Sequence, residues 1–71
     1  MKTAGQILQQ SRLSKKLEMD EVARITRIRP QFLSALEADD YRQLPSATVA
    51  KGFIRNYGQF LGLNAGYLLA V

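Results

Sequence analysis

The feature that most constrains this chain is its punctuation. Residues that start or stop a helix return at short intervals: Thr3, the acidic run Glu18, Asp20 and Glu21, then Pro30, Pro45, Gly62 and Asn64. Between them, apolar residues recur three and four positions apart, the period of one helical face. No segment alternates with the period of two that a half-buried strand needs. The spacing predicts an all-α chain, a compact bundle of five short helices at about 3–16, 19–26, 30–38, 47–61 and 65–70, in one domain spanning residues 1–71. A domain of 71 residues buries only about 60% of the surface its unfolded chain exposes, which leaves no room for a large catalytic cleft.

Each boundary has a local cause. Thr3 followed by Gln6 has the spacing of a capping box, and Ala4, Ile7, Leu8 and Ser11 then share a face. Leu13 points away from it. Glu18, Asp20 and Glu21 place negative charge where the backbone dipole of a second helix favours it, and Leu17 is positioned to staple onto Val22. Pro30 suits the first turn of a third helix, whose inward residues are Phe32, Leu33 and Leu36. Tyr41 to Pro45 reads as a loop. A fourth helix carries Val49, Phe53, Ile54, Tyr57, Phe60 and Leu61 and stops at Gly62, suited to a left-handed cap. Asn64 caps the last. Gly52 and Gly58, unfavourable inside a helix, hint at close approach by another backbone.

Two short helices joined by a tight turn, with a third packed before them, form a helix-turn-helix of the lambda-repressor-like kind. Val22, Thr26, Ile28, Leu33 and Leu36 fall where side chains fill the angle between the helices, and Ala23 where only a small one fits. Arg27 occupies the turn, at a site that favours glycine because it takes positive φ, so about 1 kcal/mol of strain is expected there.

Composition narrows the chemistry. With no cysteine and no histidine, thiol nucleophiles, imidazole bases and the commonest zinc ligands are gone, so neither a metal nor a cofactor is expected. Asp39 and Asp40 would point about 100° apart on a helix and cannot readily share a proton, and no glycine loop cradles phosphate. The chain is not expected to be an enzyme. No apolar run approaches the roughly 20 residues that span a bilayer, so the domain is expected in the cytoplasm.

Charge suggests one macromolecular partner. The net charge is +4, and residues 1–29 carry seven of the ten cations against three acids. If the third helix entered a major groove, Gln31, Ser34, Ala35 and Ala38 would face the bases, Gln31 pairing with adenine, while Arg24, Arg27, Arg29, Lys15 and Lys16 would meet phosphates. Glu37, Asp39 and Asp40 would oppose the backbone at the far end. A duplex-DNA-binding transcription regulator, with Arg24, Arg27, Arg29, Gln31 and Ser34 as its contact residues, is one reading of the pattern; completion of the core by the third helix is the other.

The fourth helix suggests a second partner. Its apolar residues spread over about 140°, wider than the roughly 100° stripe of an ordinary surface helix, so part of that surface is expected to stay open. Phe53 and Tyr57 lie one turn apart with Lys51 and Arg55 beside them, the aromatic and cationic mixture of interface anchors. The same rings would also serve as core.

The residues Gly5-Gln6-Ile7-Leu8, Arg12, Val22-Ala23 and Thr26-Arg27-Ile28-Arg29, followed by Leu36-Glu37, Tyr41, Leu44-Pro45, Lys51-Gly52-Phe53, Arg55, Tyr57 and Leu61-Gly62-Leu63, resemble the N-terminal cytoplasmic helix-turn-helix domain of RodZ-like bacterial cell-shape proteins. The resemblance runs from about residue 3 to residue 70, with Ser46-Ala47-Thr48 and Gly58 as departures. It implies a non-catalytic domain at the inner face of the plasma membrane, in a protein continuing through a transmembrane segment absent from this chain. It also implies docking of the actin-like filament protein MreB through aromatics of the fourth helix, at the positions of Phe53 and Tyr57 with Lys51 and Arg55 beside them.

Overall fold

A computed structural model describes residues 2–70. Its helices are α1 (Ala4–Ser14), α2 (Met19–Thr26), α3 (Pro30–Glu37), α4 (Ala47–Phe60) and α5 (Ala65–Ala70), with a single 3₁₀ turn at Tyr41–Gln43 before α4. The fold is all-helical, with α2 and α3 as the helix-turn-helix and α1 laid along α3.

The starts follow the side chains. The Gln6 amide donates to Thr3 Oγ1 at 3.1 Å while the Thr3 amide donates to the Gln6 side chain at 2.9 Å, a reciprocal capping box. The Glu18 amide donates to Glu21 at 3.1 Å, Ser46 Oγ accepts from Val49, and Asn64 accepts from Tyr67. Pro30 occupies the first turn of α3, where its missing N–H leaves nothing unsatisfied.

The ends repeat one device. After α1 the Leu17 amide reaches the Arg12 carbonyl, after α3 the Asp40 amide reaches Ala35, and after α4 the Leu63 amide reaches Gly58, each beside a bond from the preceding amide to the carbonyl three positions before it. This double closure needs a left-handed residue after the last turn. Lys16 (φ 57°), Asp39 (φ 56°) and Gly62 (φ 77°) supply it, and Arg27 (φ 62°) ends α2 in the same conformation. α1 stops at Ser14 because Lys16 has already turned left-handed. Three of these four residues are not glycine and each carries a strain of about 1 kcal/mol, including Arg27 in the helix-turn-helix turn.

Leu8, Val22, Leu33, Leu36, Tyr57 and Leu68 are fully buried and form the centre of the bundle, with Ile28, Leu44, Ile54 and Leu61 around them. The residues expected to fill the helix-turn-helix angle, Val22, Thr26, Ile28, Leu33 and Leu36, are all buried, and Leu13 is exposed. Ala35, expected on the outward face of α3, is only 3% exposed and belongs to the core. The seam between α1 and α3 is closer than side-chain patterning suggests: a Cβ on Gly5 would lie 2.3 Å from the Leu36 carbonyl oxygen. Gly58 answers a neighbour as well, but that neighbour is a side chain, Leu68 Cδ1 at 2.5 Å from the added Cβ, and not another backbone.

Candidate functional site

The outer side of α4 is built by the residues that its core face leaves out. Ala50, Ile54, Tyr57 and Gly58 turn inward; Lys51 and Arg55 are exposed on one flank of the remaining surface, Gly52 is half-buried near its middle, and Phe53, about 160° round the helix from each cation, is half-buried on the other flank. Phe53 leans on Phe32 of α3, ring centroids 5.7 Å apart and planes tilted by 31°. This contact fixes the Phe53 ring at the boundary between helices with part of its surface open. Phe32, expected to face inward, is half-buried and shares that boundary.

Tyr57 does something else. It was expected on the contact face with Phe53, but it is 0% exposed and offers no surface to a partner in this fold. Its position shares the core-facing side of α4 with Ala50, Ile54 and Leu61, and its phenol finds a partner inside. The hydroxyl donates to Glu37 Oε2. Arg12 closes the same group, its Nε donating to Glu37 Oε2 at 2.8 Å, Nη2 to Oε1 at 3.1 Å and Nη1 to the Leu17 carbonyl at 3.0 Å. Glu37 is 7% exposed, so its carboxylate is a buried charge met by a two-pronged guanidinium and a phenol.

The electrostatics follow from that arrangement. The hydrogen bonds to Glu37 hold the Arg12 guanidinium above its ordinary pKa, against the effect of burial. Burial first, and the hydrogen bond and charge of Glu37 second, push the Tyr57 phenol well above its ordinary value of 10.0. The group keeps three helices, α1, α3 and α4, in register. Glu37 therefore does not oppose phosphate at the end of α3, as the charge pattern suggested. Sequence reasoning treated the three residues separately, and no local spacing joins Arg12, Glu37 and Tyr57, which are 25 and 20 positions apart in succession.

Asp39 and Asp40 also have structural duties. Asp39 accepts from the Gly5 amide at 3.0 Å, from the Thr3 hydroxyl and from the Tyr41 hydroxyl at 3.1 Å, placing a carboxylate at the start of α1 where its dipole favours one. Asp40 accepts from Gln43 and Arg42, which lowers its pKa below the ordinary carboxylate value. Among the described residues no group of three acidic side chains is placed to hold a metal ion.

At the helix-turn-helix, Arg24, Arg27, Arg29, Gln31 and Ser34 are all exposed. The three arginines border a shallow concavity of about 300 Å³ floored by Ala23, Ile28 and Pro30, and none of them forms an ion pair among the described residues. The exposed face of α3 beyond them carries Gln31, Ser34 and Ala38, with no cation.

Gly52 stands apart on α4. A glycine inside a helix costs up to about 1 kcal/mol relative to alanine. A Cβ at Gly52 would meet nothing within 4 Å, so among the described residues no neighbour requires the missing side chain.

The fold and its helix-turn-helix define the class. A family model described as a helix-turn-helix domain matches residues 7–68, and the chain belongs to that family. Over 56 residues, 79% of this chain, it is 39% identical to the cytoskeleton protein RodZ of Streptococcus pneumoniae, so the domain is RodZ-like. It is also 33% identical over 60 residues to an uncharacterized protein of Haemophilus influenzae, covering 83% of this chain. The chain spans about 20% of the length of each of these relatives. No solved structure matches. Among the described residues no helix is long and apolar enough to cross a membrane.

Proposed function

We propose that this chain is a non-catalytic docking domain of a RodZ-like cell-shape protein, and that the outer side of α4 binds the actin-like filament protein MreB. The observation that carries this reading is the combination of a half-open aromatic, Phe53, held by Phe32, with the exposed cations Lys51 and Arg55 on the same helix. A ring fixed in one position loses little entropy on binding, and the cations on the opposite flank of the same exposed surface add charge. Tyr57 supports the surface from behind by anchoring α4 to Glu37. In this reading the domain works at the cytoplasmic side of the membrane, as part of a longer anchored chain.

Reversing the charge at Lys51→Glu with Arg55→Glu leaves the core untouched and is expected to weaken co-sedimentation with MreB filaments at least tenfold, while the thermal melt stays cooperative. Unchanged sedimentation of a folded double variant overturns the assignment.

The exposed Arg24, Arg27 and Arg29 around one concavity support a second reading, binding of duplex DNA with Gln31 and Ser34 toward the bases. It requires affinity that falls steeply between two salt concentrations and is lost in Arg27→Gln with Arg29→Gln. Absence of binding at low salt removes it.

A further inference from the structure

Four of the five glycines are accounted for inside the molecule. Gly5 admits the Leu36 carbonyl, Gly58 admits Leu68, Gly66 leaves room for the Asn64 side chain that caps α5, and Gly62 takes a left-handed backbone. Gly52 has no such cause. It lies in the middle of α4, its φ is not left-handed, and any small side chain would fit there and strengthen the helix.

Its neighbours indicate what the gap serves. Lys51 and Arg55, exposed and unpaired among the described residues, lie beside it, and Phe53 follows it with its ring at the α3–α4 boundary. A bare stretch of helix backbone, bordered by two cations and an aromatic edge, is a seat for a chain that must come closer to α4 than a Cβ permits.

We infer that Gly52 is the point of closest approach in the docking surface, where an acidic segment of the filament partner lays its backbone directly on α4 with its carboxylates toward Lys51 and Arg55. This inference rests on the docking reading above, and it adds which residue sets the distance and what chemistry the partner presents. Loss of one methyl group's worth of space then matters more at half-buried Gly52 than at the exposed positions of α4. The glycine is retained at the expense of the free domain's stability, so binding and stability respond to its replacement in opposite directions.

The test uses Gly52→Ala and Gly52→Leu in the whole chain, with thermal melts and sedimentation with MreB filaments run on the same preparations. Gly52→Ala is expected to raise the melting temperature by about 4–8 °C, the shift that a helix-interior glycine replacement gives in a domain of this size. It is also expected to weaken filament binding at least tenfold. Gly52→Leu is expected to abolish binding while melting cooperatively, and added salt is expected to weaken the wild-type complex. Wild-type binding with both variants within twofold of it overturns the role of Gly52 and leaves the docking reading standing. A wild-type chain that does not bind overturns both, and a lower melting temperature for Gly52→Ala overturns the inference by revealing an internal role for the glycine.

Discussion

The seam between α1 and α3 and the outer side of α4 each contain a glycine in a helix, and the two could hardly differ more. At the seam, Gly5 is buried with a carbonyl oxygen 2.3 Å from where its Cβ would be, and the charged groups of this region, Asp39 and the Arg12–Glu37 pair, are engaged by hydrogen bonds within the bundle. On α4, Gly52 faces open space between free cations. One region spends its polar side chains on holding the bundle together, and the other leaves them unspent. Residue type alone does not separate structural from functional positions. What the missing or present atoms face does.

The contrast breaks most violently at Glu37. Glu37→Ala strands the part-buried Arg12 guanidinium and the buried Tyr57 hydroxyl, and the expected loss is about 3 kcal/mol of stability, the low end for a broken buried pair, read as the shift in a urea unfolding curve. Arg55→Ala, on the open side, is expected to change the same curve by less than about 0.5 kcal/mol. Comparable losses from both would show that the two regions are not divided as described.

Gly5→Ala is the next largest. The added methyl must push α1 away from the Leu36 and Glu37 carbonyls, and overpacking of this kind costs about 1–3 kcal/mol, measurable as a lower melting temperature. The identical replacement at Gly52 has the opposite expected sign. A stabilised Gly5→Ala chain would mean that the seam is looser than its geometry indicates.

The smallest effect is in alkaline solution. Because folding raises the Tyr57 pKa above its ordinary 10.0, the phenol's contribution is complete below pH 10. As pH rises further, unfolded chains lose the tyrosine proton while the folded chain keeps it, so stability falls. Tyr57→Phe removes this component, although Tyr41, also raised by burial and by Asp39, retains a part. The urea midpoint is expected to drop more between pH 8 and pH 11 in the wild type than in Tyr57→Phe. Equal slopes would place the phenol in an ordinary environment.

Local physics made much of this fold readable. Thr3 with Gln6, Pro30, Gly62 and Asn64 act on backbone groups within a few positions of themselves, and Val22, Ile28, Leu33 and Leu36 declare their face by helical period. The strain at Arg27 was legible for the same reason, since the turn demands its conformation whatever residue is there. Phe53 and Tyr57 show where such reasoning stops. Both fit a wide apolar arc; Tyr57 falls on its core-facing part with Ala50 and Ile54, and the distant Glu37 gives its hydroxyl a partner there. Ala35, on a side of α3 that looks outward on a helical wheel, is buried by the bundle all the same, which a wheel of α3 alone does not show. The gap at Gly52 is the converse: its meaning emerged only once every neighbour was in place and found not to need it.

The bond from the Gly5 amide to Asp39 spans 34 positions and is joined there by the Thr3 hydroxyl. A chain emerging from the ribosome can wind its opening turns early, but it cannot fasten them until the segment through Asp39 has left the exit tunnel. The first turn of α1 is thus fastened by a residue that is made 34 positions later, and it stays unmoored while the intervening stretch is made.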